Sequence, residues 1–230
     1  MSSMLSVIIP SCNSEEGLAR TLASLVSAAA EGIVREVAVA DAGSTDGTAA
    51  VAEAAGCLFL SGGGSWGDRV AEAIDAMRRV PWLMVLPPHV LLQADWFREL
   101  SAFIERIERN GRSDSHAASF RLEYDDYGFR ARFAERAIAL CSGIFGLPAP
   151  EQGLVLSRRL IDRIRREQPV SNHADLVARI GRRRIHTLRS TAIVIADGDD
   201  RCRVPTAPAL AGHALAAIGL PARSLGARQS

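Results

Sequence analysis

Apolar residues in the first hundred positions fall into short, nearly unbroken runs: residues 5–9 (Leu-Ser-Val-Ile-Ile), 37–40 (Val-Ala-Val-Ala), 57–60 (Cys-Leu-Phe-Leu) and 82–86 (Trp-Leu-Met-Val-Leu). The first run fits a strand buried on both faces, as in a parallel sheet, and the other three read as further short strands. Between them the apolar positions change to helical spacing. Leu18, Leu22, Leu25, Val26 and Ala29 share one face up to Gly32, with Asn13 and Glu16 spaced as a capping box ahead of them. Further helices are expected over about 48–55, 68–79 and 96–107, the last closed by Asn110-Gly111. Strand and helix therefore alternate, which predicts an α/β domain with a mostly parallel sheet and helices on both faces.

The later pattern is less regular. Strands are expected over 117–124, 153–156 and 185–195, and helices over 129–144, 158–167 and 176–180. Pro205 to Pro208 reads as a linker to an alanine-rich helix over 209–218 and a frayed tail. The expected division is a domain over 1–204, with halves 1–110 and 111–204, and a C-terminal helix and tail over 205–230.

Two loops carry candidate chemistry. The run 37–40 ends abruptly in Asp41, and Gly43-Ser44-Thr45-Asp46-Gly47 then leads into a helix. Ligands of open α/β sheets bind at the carboxyl ends of strands, so Asp41 is placed to face a cleft. The alternative is that Asp41 and Asp46 only cap the following helix. Residues 61–67, Ser-Gly-Gly-Gly-Ser-Trp-Gly, lie between a strand and a helix, where backbone N–H groups can meet a phosphate; a plain flexible connector is the alternative.

Composition narrows the partners. With 48% hydrophobic and 23% charged residues the chain is ordinary for a globular protein, and a net charge of +1 gives no reason to expect nucleic acid as a partner. All 27 basic residues are arginine. Cys12, Cys57, Cys141 and Cys202 form no CxxC pair and suit a reducing cytoplasm, with peripheral attachment to the inner membrane as the other expected location. The first apolar run is too short for a signal peptide, and no run reaches the roughly 18 apolar residues of a transmembrane helix.

Three segments together carry a family resemblance: Ser6-Val7-Ile8-Ile9-Pro10 with Asn13-Ser14-Glu15-Glu16, then Thr21-Leu22-Ala23-Ser24-Leu25, then Asp41-Ala42-Gly43-Ser44-Thr45-Asp46-Gly47-Thr48. In order and spacing they resemble the family 2 glycosyltransferases of the GT-A fold, most closely over residues 4–97. The resemblance implies transfer of a sugar from a nucleotide-sugar donor to an acceptor hydroxyl. It implies donor contacts from Pro10, Ser11, Asn13, Glu15 and Asp41, to which Gly43 and Ser44 of the adjoining turn, the loop glycines Gly63 and Gly64 and the neighbouring Arg69 are added.

Two departures from the family pattern stand out. The Asp-x-Asp element that holds Mg²⁺ or Mn²⁺ is replaced by Leu86-Pro87-Pro88-His89-Val90, which leaves His89 as the one possible ligand there. The Glu-Asp pair that supplies the base falls on Ser171-Asn172-His173-Ala174-Asp175, so His173 or Asp175 becomes the candidate base, unless the stretch only starts a helix. Glu151-Gln152-Gly153 resembles an Asp-Gln-Gly turn near the acceptor side and adds Glu151 as a third candidate. Arg69 and the run Arg182 to Arg184 are the expected partners of the diphosphate if no metal takes that role. The rival expectation is a catalytically degenerate module that binds a nucleotide or a partner protein without chemistry.

Overall fold

The computed structural model describes residues 4–78, 80–124 and 148–195. Eight strands form one sheet: β1 (Leu5–Ser11), β2 (Val34–Asp41), β3 (Leu58–Ser61), β4 (Trp82–Val85), β5 (Val90–Leu92), β6 (Ala117–Tyr124), β7 (Leu154–Ser157) and β8 (Ile185–Val194), in the order β3-β2-β1-β4-β7-β6-β8-β5. The four strands from β3 to β4 are parallel to one another. Beyond β4 the pairing becomes mixed: β7 runs antiparallel to both β4 and β6, β6 and β8 are parallel, and β5 closes the far edge antiparallel to β8.

Alternation along β1 explains why its apolar run is unbroken. Val7 and Ile9 point into one core with Leu18, Leu25, Trp96, Leu100 and Phe103, whereas Ile8 points into the other with Val70, Ile74, Leu160 and Leu176. The first core is covered by α1 (Glu15–Ala30) and α4 (Trp96–Arg109). The second is covered by α3 (Trp66–Ala76), α5 (Arg158–Glu167) and α6 (His173–Ile180), while the short α2 (Thr48–Ala54) joins β2 to β3. Both sheet faces are thus sealed, which leaves the strand ends as the place for a ligand.

Several expected boundaries shift for local reasons. Helix α3 begins at Trp66, because Ser65 and Asp68 form a reciprocal capping box inside the glycine-rich stretch. The cap expected from Asn13 and Glu16 is absent. Ser14 is the N-cap of α1 and makes no side-chain cap bond; the Glu15 N–H instead donates to Asp46 Oδ2 at 3.1 Å. Helix α6 starts at His173, three residues earlier than the apolar spacing implies, because Asn172 Oδ1 accepts the Asp175 N–H at 3.0 Å. Strand β5 has no counterpart in the sequence reading. The helix expected over 129–144 and the segment 205–230 lie outside the described residues.

Candidate active site

The tips of β1 and β2 are tied together by side chains that cap the opposite loop. The Thr45 N–H donates to Asn13 Oδ1 at 2.8 Å, and the Asn13 N–H donates to Ser44 Oγ at 2.8 Å. The Gly47 N–H donates to Glu15 Oε2 at 3.0 Å, and the Ser14 N–H to Thr48 Oγ1 at 3.0 Å. Asn13, Glu15 and Ser44, three of the expected donor contacts, are therefore engaged in loop-to-loop bonds.

Asp41 sits at the end of β2, but its side chain is turned into its own loop and is only 1% exposed. Oδ2 accepts the N–H groups of Gly43 (2.8 Å) and Ser44 (2.7 Å) and the Ser61 hydroxyl (3.2 Å), while Oδ1 accepts the Ser44 hydroxyl. Burial pushes its pKa up, but the Ser44 hydroxyl and the N–H groups of Ser44 and Gly43, with Ser61, more than offset this, so the carboxyl stays below its ordinary value. This fan of donors needs Gly43 at φ +88°, a left-handed conformation that favours glycine. Gly47 has an ordinary negative φ and serves as the N-cap of α2.

Beside these tips lies a cleft of about 850 Å³, at the carboxyl ends of β1 and β4 and against the first turns of α3 and α6. Pro10, Ser11 and Cys12 line it from the end of β1, Val85 and Pro87 from the end of β4, Trp66 and Arg69 from the start of α3, and His173 and Asp175 from the start of α6, with Pro150 completing the lining. Two buried polar atoms in these walls have no hydrogen-bond partner among the described residues: Ser11 Oγ and Arg69 Nε. Arg69 is held by its other end, where Nη1 donates to the Gly64 carbonyl at 2.7 Å. Gly63 and Gly64 do not line the cleft, and Gly64 acts on it through this bond to Arg69.

The three base candidates occupy different situations. His173 lines the cleft at 7% exposure, with its ring edge-on to Trp66 at a centroid distance of 6.2 Å. Asp175 also lines it, but its carboxylate is gripped by Arg179 through Nε (2.7 Å) and Nη2 (2.8 Å) and accepts the Ser171 N–H at 3.0 Å. Glu151 lies in a 3₁₀ turn (Pro150–Gln152) from which only Pro150 reaches the cleft lining. The neighbouring Gln152 is buried and fixes that turn, its Nε2 donating to the Phe120 carbonyl at 2.9 Å. Arg182 to Arg184 form an exposed 3₁₀ turn outside the cleft lining.

The donor set does not suit a hard divalent cation. Where the resemblance places two carboxylates, the chain offers Pro87, which lines the cleft, Pro88, which is buried, and His89, which takes φ +76° and is not part of the lining. Asp175, the cleft carboxylate, is already paired with Arg179, and no group of three or more His, Cys, Asp or Glu side chains gathers among the described residues.

Trp66, Cys12 and Arg179 were not singled out from the sequence. Trp66 sits inside a glycine-rich stretch and reads as a loop residue, and nothing in local spacing links it to His173, more than a hundred positions away. A signal for Arg179 was available, since Asp175 and Arg179 stand four apart on a short helix.

Comparison with known proteins agrees with this architecture. The family model described as glycosyl transferase family 2 matches residues 6–132, more than half of the chain. No sequence among the curated proteins matches it. A crystal structure described only as a mycobacterial protein superimposes with a TM-score of 0.65 at 16% identity, covering 98% of this chain and 78% of that one. Glucosyl-3-phosphoglycerate synthase from Mycobacterium tuberculosis, in complex with Mn²⁺, uridine diphosphate and glucosyl-3-phosphoglycerate, gives 0.61 at 17% identity over 98% and 84% of the two chains. The same enzyme with Mn²⁺ and uridine-diphosphate-glucose gives 0.62 at 17% over 98% and 83%. A parallel β3-β2-β1-β4 sheet with a cleft at its strand ends, matched by a family model over more than half of the sequence, shows that the chain belongs to the family 2 glycosyltransferases of the GT-A fold, which transfer a sugar from a nucleotide-sugar donor.

Proposed function

We propose that the cleft at the ends of β1 and β4 takes the nucleoside diphosphate part of the donor, with uridine diphosphate as the nucleotide. One observation carries this reading: Ser11 Oγ and Arg69 Nε, two polar atoms buried without partners, stand in the walls of one cleft of about 850 Å³. Unpaired buried donors are costly, and a phosphate oxygen satisfies both kinds. The volume falls in the range of small-molecule sites, roughly 300 to 1,000 Å³. The uridine assignment is supported by the uridine nucleotides bound to the similar structures.

On this reading Arg69 supplies charge that an Asp-x-Asp-bound cation supplies elsewhere. Its guanidinium neutralises the leaving diphosphate, and Gly64 holds it in place. Pro10 and Ser11 contact the donor directly. Asn13, Glu15, Asp41, Gly43 and Ser44 shape the loops around it, and direct contact by Asp41 requires the Ser44 hydroxyl to swing away. His173 is the general base: it accepts the proton of the acceptor hydroxyl as that oxygen attacks the anomeric carbon and the C–O bond to the diphosphate breaks. Asp175 fixes the helix start that carries His173, and Arg179 keeps its carboxylate occupied.

Calorimetry with uridine diphosphate, together with turnover of uridine-diphosphate-glucose, tests this. Arg69→Gln is expected to weaken nucleotide binding by about 1.5 to 3 kcal/mol, the scale of a charged hydrogen bond. His173→Gln is expected to lower kcat by about 10² to 10⁴ while leaving nucleotide affinity near wild type. Unchanged nucleotide affinity in Arg69→Gln removes the donor assignment. Full turnover in His173→Gln removes the base.

A further inference from the structure

The first turn of α3 and the connector ahead of α6 meet backbone to backbone at Gly67. The Gly67 N–H donates to the Ser171 carbonyl at 3.2 Å, and a Cβ built at Gly67 would stand 1.6 Å from the Val170 carbonyl oxygen and 2.6 Å from its carbon. Space alone, not an unusual φ, demands glycine here. The obstructing atoms belong to the main chain, so no rotamer change relieves the clash. Residues on both sides of this contact line the same cleft: Trp66 and Arg69 from α3, Asn172 and His173 from the start of α6.

We propose that Gly67 is a positioning residue for sugar transfer: by lacking a side chain it lets α3 close onto Val170 and Ser171, which holds His173 at its working distance from Arg69 and the donor. This rests on the reading of the cleft given above. A side chain at position 67 forces a separation of about 1.5 Å to restore van der Waals distance. The connector is the part that yields. Helix α3 is anchored by buried Val70, Ala73 and Ile74, whereas the connector packs on the core through half-buried Val170 and its other residues, Gln168, Pro169, Ser171 and Asn172, are exposed. Arg179 braces the connector from its far side, with Nη1 donating to the Gln168 carbonyl (2.8 Å) and Nη2 to that of Pro169 (3.0 Å). Displacement therefore falls on His173 and leaves the donor groups on β1 and α3 in place. Misplacement of a reacting group by about 1 Å can cost on the order of 10²-fold in rate.

The test compares Gly67→Ala with wild type by three measurements: uridine diphosphate affinity, kcat with uridine-diphosphate-glucose, and the proton Overhauser contact between the Trp66 and His173 rings. Gly67→Ala is expected to keep nucleotide affinity within about threefold, lose the ring contact and drop kcat by about 30-fold or more. Arg179→Gln, which frees the connector without adding atoms to the junction, is expected to move the same readouts in the same direction, and it decides the matter if Gly67→Ala does not fold. An intact Trp66–His173 contact with wild-type kcat in the folded variant overturns the proposal, as does loss of nucleotide affinity in parallel with kcat. Because the ring contact is read without substrate, failure of this positioning role is distinguishable from failure of the donor or base assignment, which wild type, Arg69→Gln and His173→Gln test.

Discussion

Asn13 Oδ1 accepts the Thr45 N–H at 2.8 Å and so closes the tip of β1 onto the tip of β2, while the Asn13 backbone N–H returns a bond to Ser44. Residues 31 and 32 positions apart in sequence thereby act as one edge beside the cleft. Asn13→Ala removes the first of these bonds and leaves the Thr45 N–H to water. A loss of about 0.5 to 1.5 kcal/mol in urea denaturation is expected, with weaker uridine diphosphate binding by calorimetry. If both stay at wild-type values, the brace does not support the site.

Asp41 links the same loop to pH. Its carboxyl lies below its ordinary value because the hydrogen bonds from Ser44, Gly43 and Ser61 outweigh burial. With a depressed folded-state value, the unfolded chain binds more protons in the window between the two values. The stabilisation is complete above the unfolded value and is lost as pH falls through the folded one. Asp41→Asn is expected to be less stable near neutrality by about 1 to 3 kcal/mol and to show a shallower acid limb when urea midpoints are followed against pH. An acid limb as steep as that of wild type means that other carboxylates dominate it.

At the opposite end of the sheet, His186 stacks on His116 at 5.3 Å and packs against Phe103 at 5.5 Å. Burial first, then the charges of His116, Arg106 and Arg112, hold its pKa below 6.5. The folded state therefore favours the neutral imidazole more than the unfolded chain does. Stability is expected to fall as pH drops below about 6.5, because the unfolded chain takes up the proton more readily. His186→Phe removes the titrating group, and its thermal midpoint is expected to change less between neutral and mildly acidic buffer. A slope equal to that of wild type counts against His186.

Chelation addresses the Pro87-Pro88-His89 sequence. Uridine diphosphate affinity is expected to change little on adding EDTA, because Arg69 and Ser11 carry the polar contacts proposed for it. Binding abolished by EDTA and restored by Mn²⁺ would place a cation on ligands other than those of this loop.

The parallel half of the fold was legible because β1, β2 and β4 are buried on both faces and their apolar runs are nearly unbroken. Asp41 does end β2, as the abrupt stop of its apolar run implies, yet the carboxylate turns into its own loop. A sequence shows where a chain turns but not which N–H groups the turn presents. Strand β5 escaped because the three residues between His89 and Gln93 carry no period. The cleft itself was only half visible, since the α6 side joins α3 through the Gly67 contact, and no local pattern announces a meeting of two backbones so far apart in sequence.

The three tryptophans have unequal surroundings. Trp82 and Trp96 are each 1% exposed, and their indole N–H groups donate to Glu108 and to the Ser24 carbonyl, whereas Trp66 stands partly exposed in the cleft wall. The protein thus carries its own optical reporter. A ligand entering the cleft changes the polarity around a single indole while the two buried ones supply a constant background. The emission spectrum follows occupancy of the site without any label, and Trp66→Phe supplies the blank.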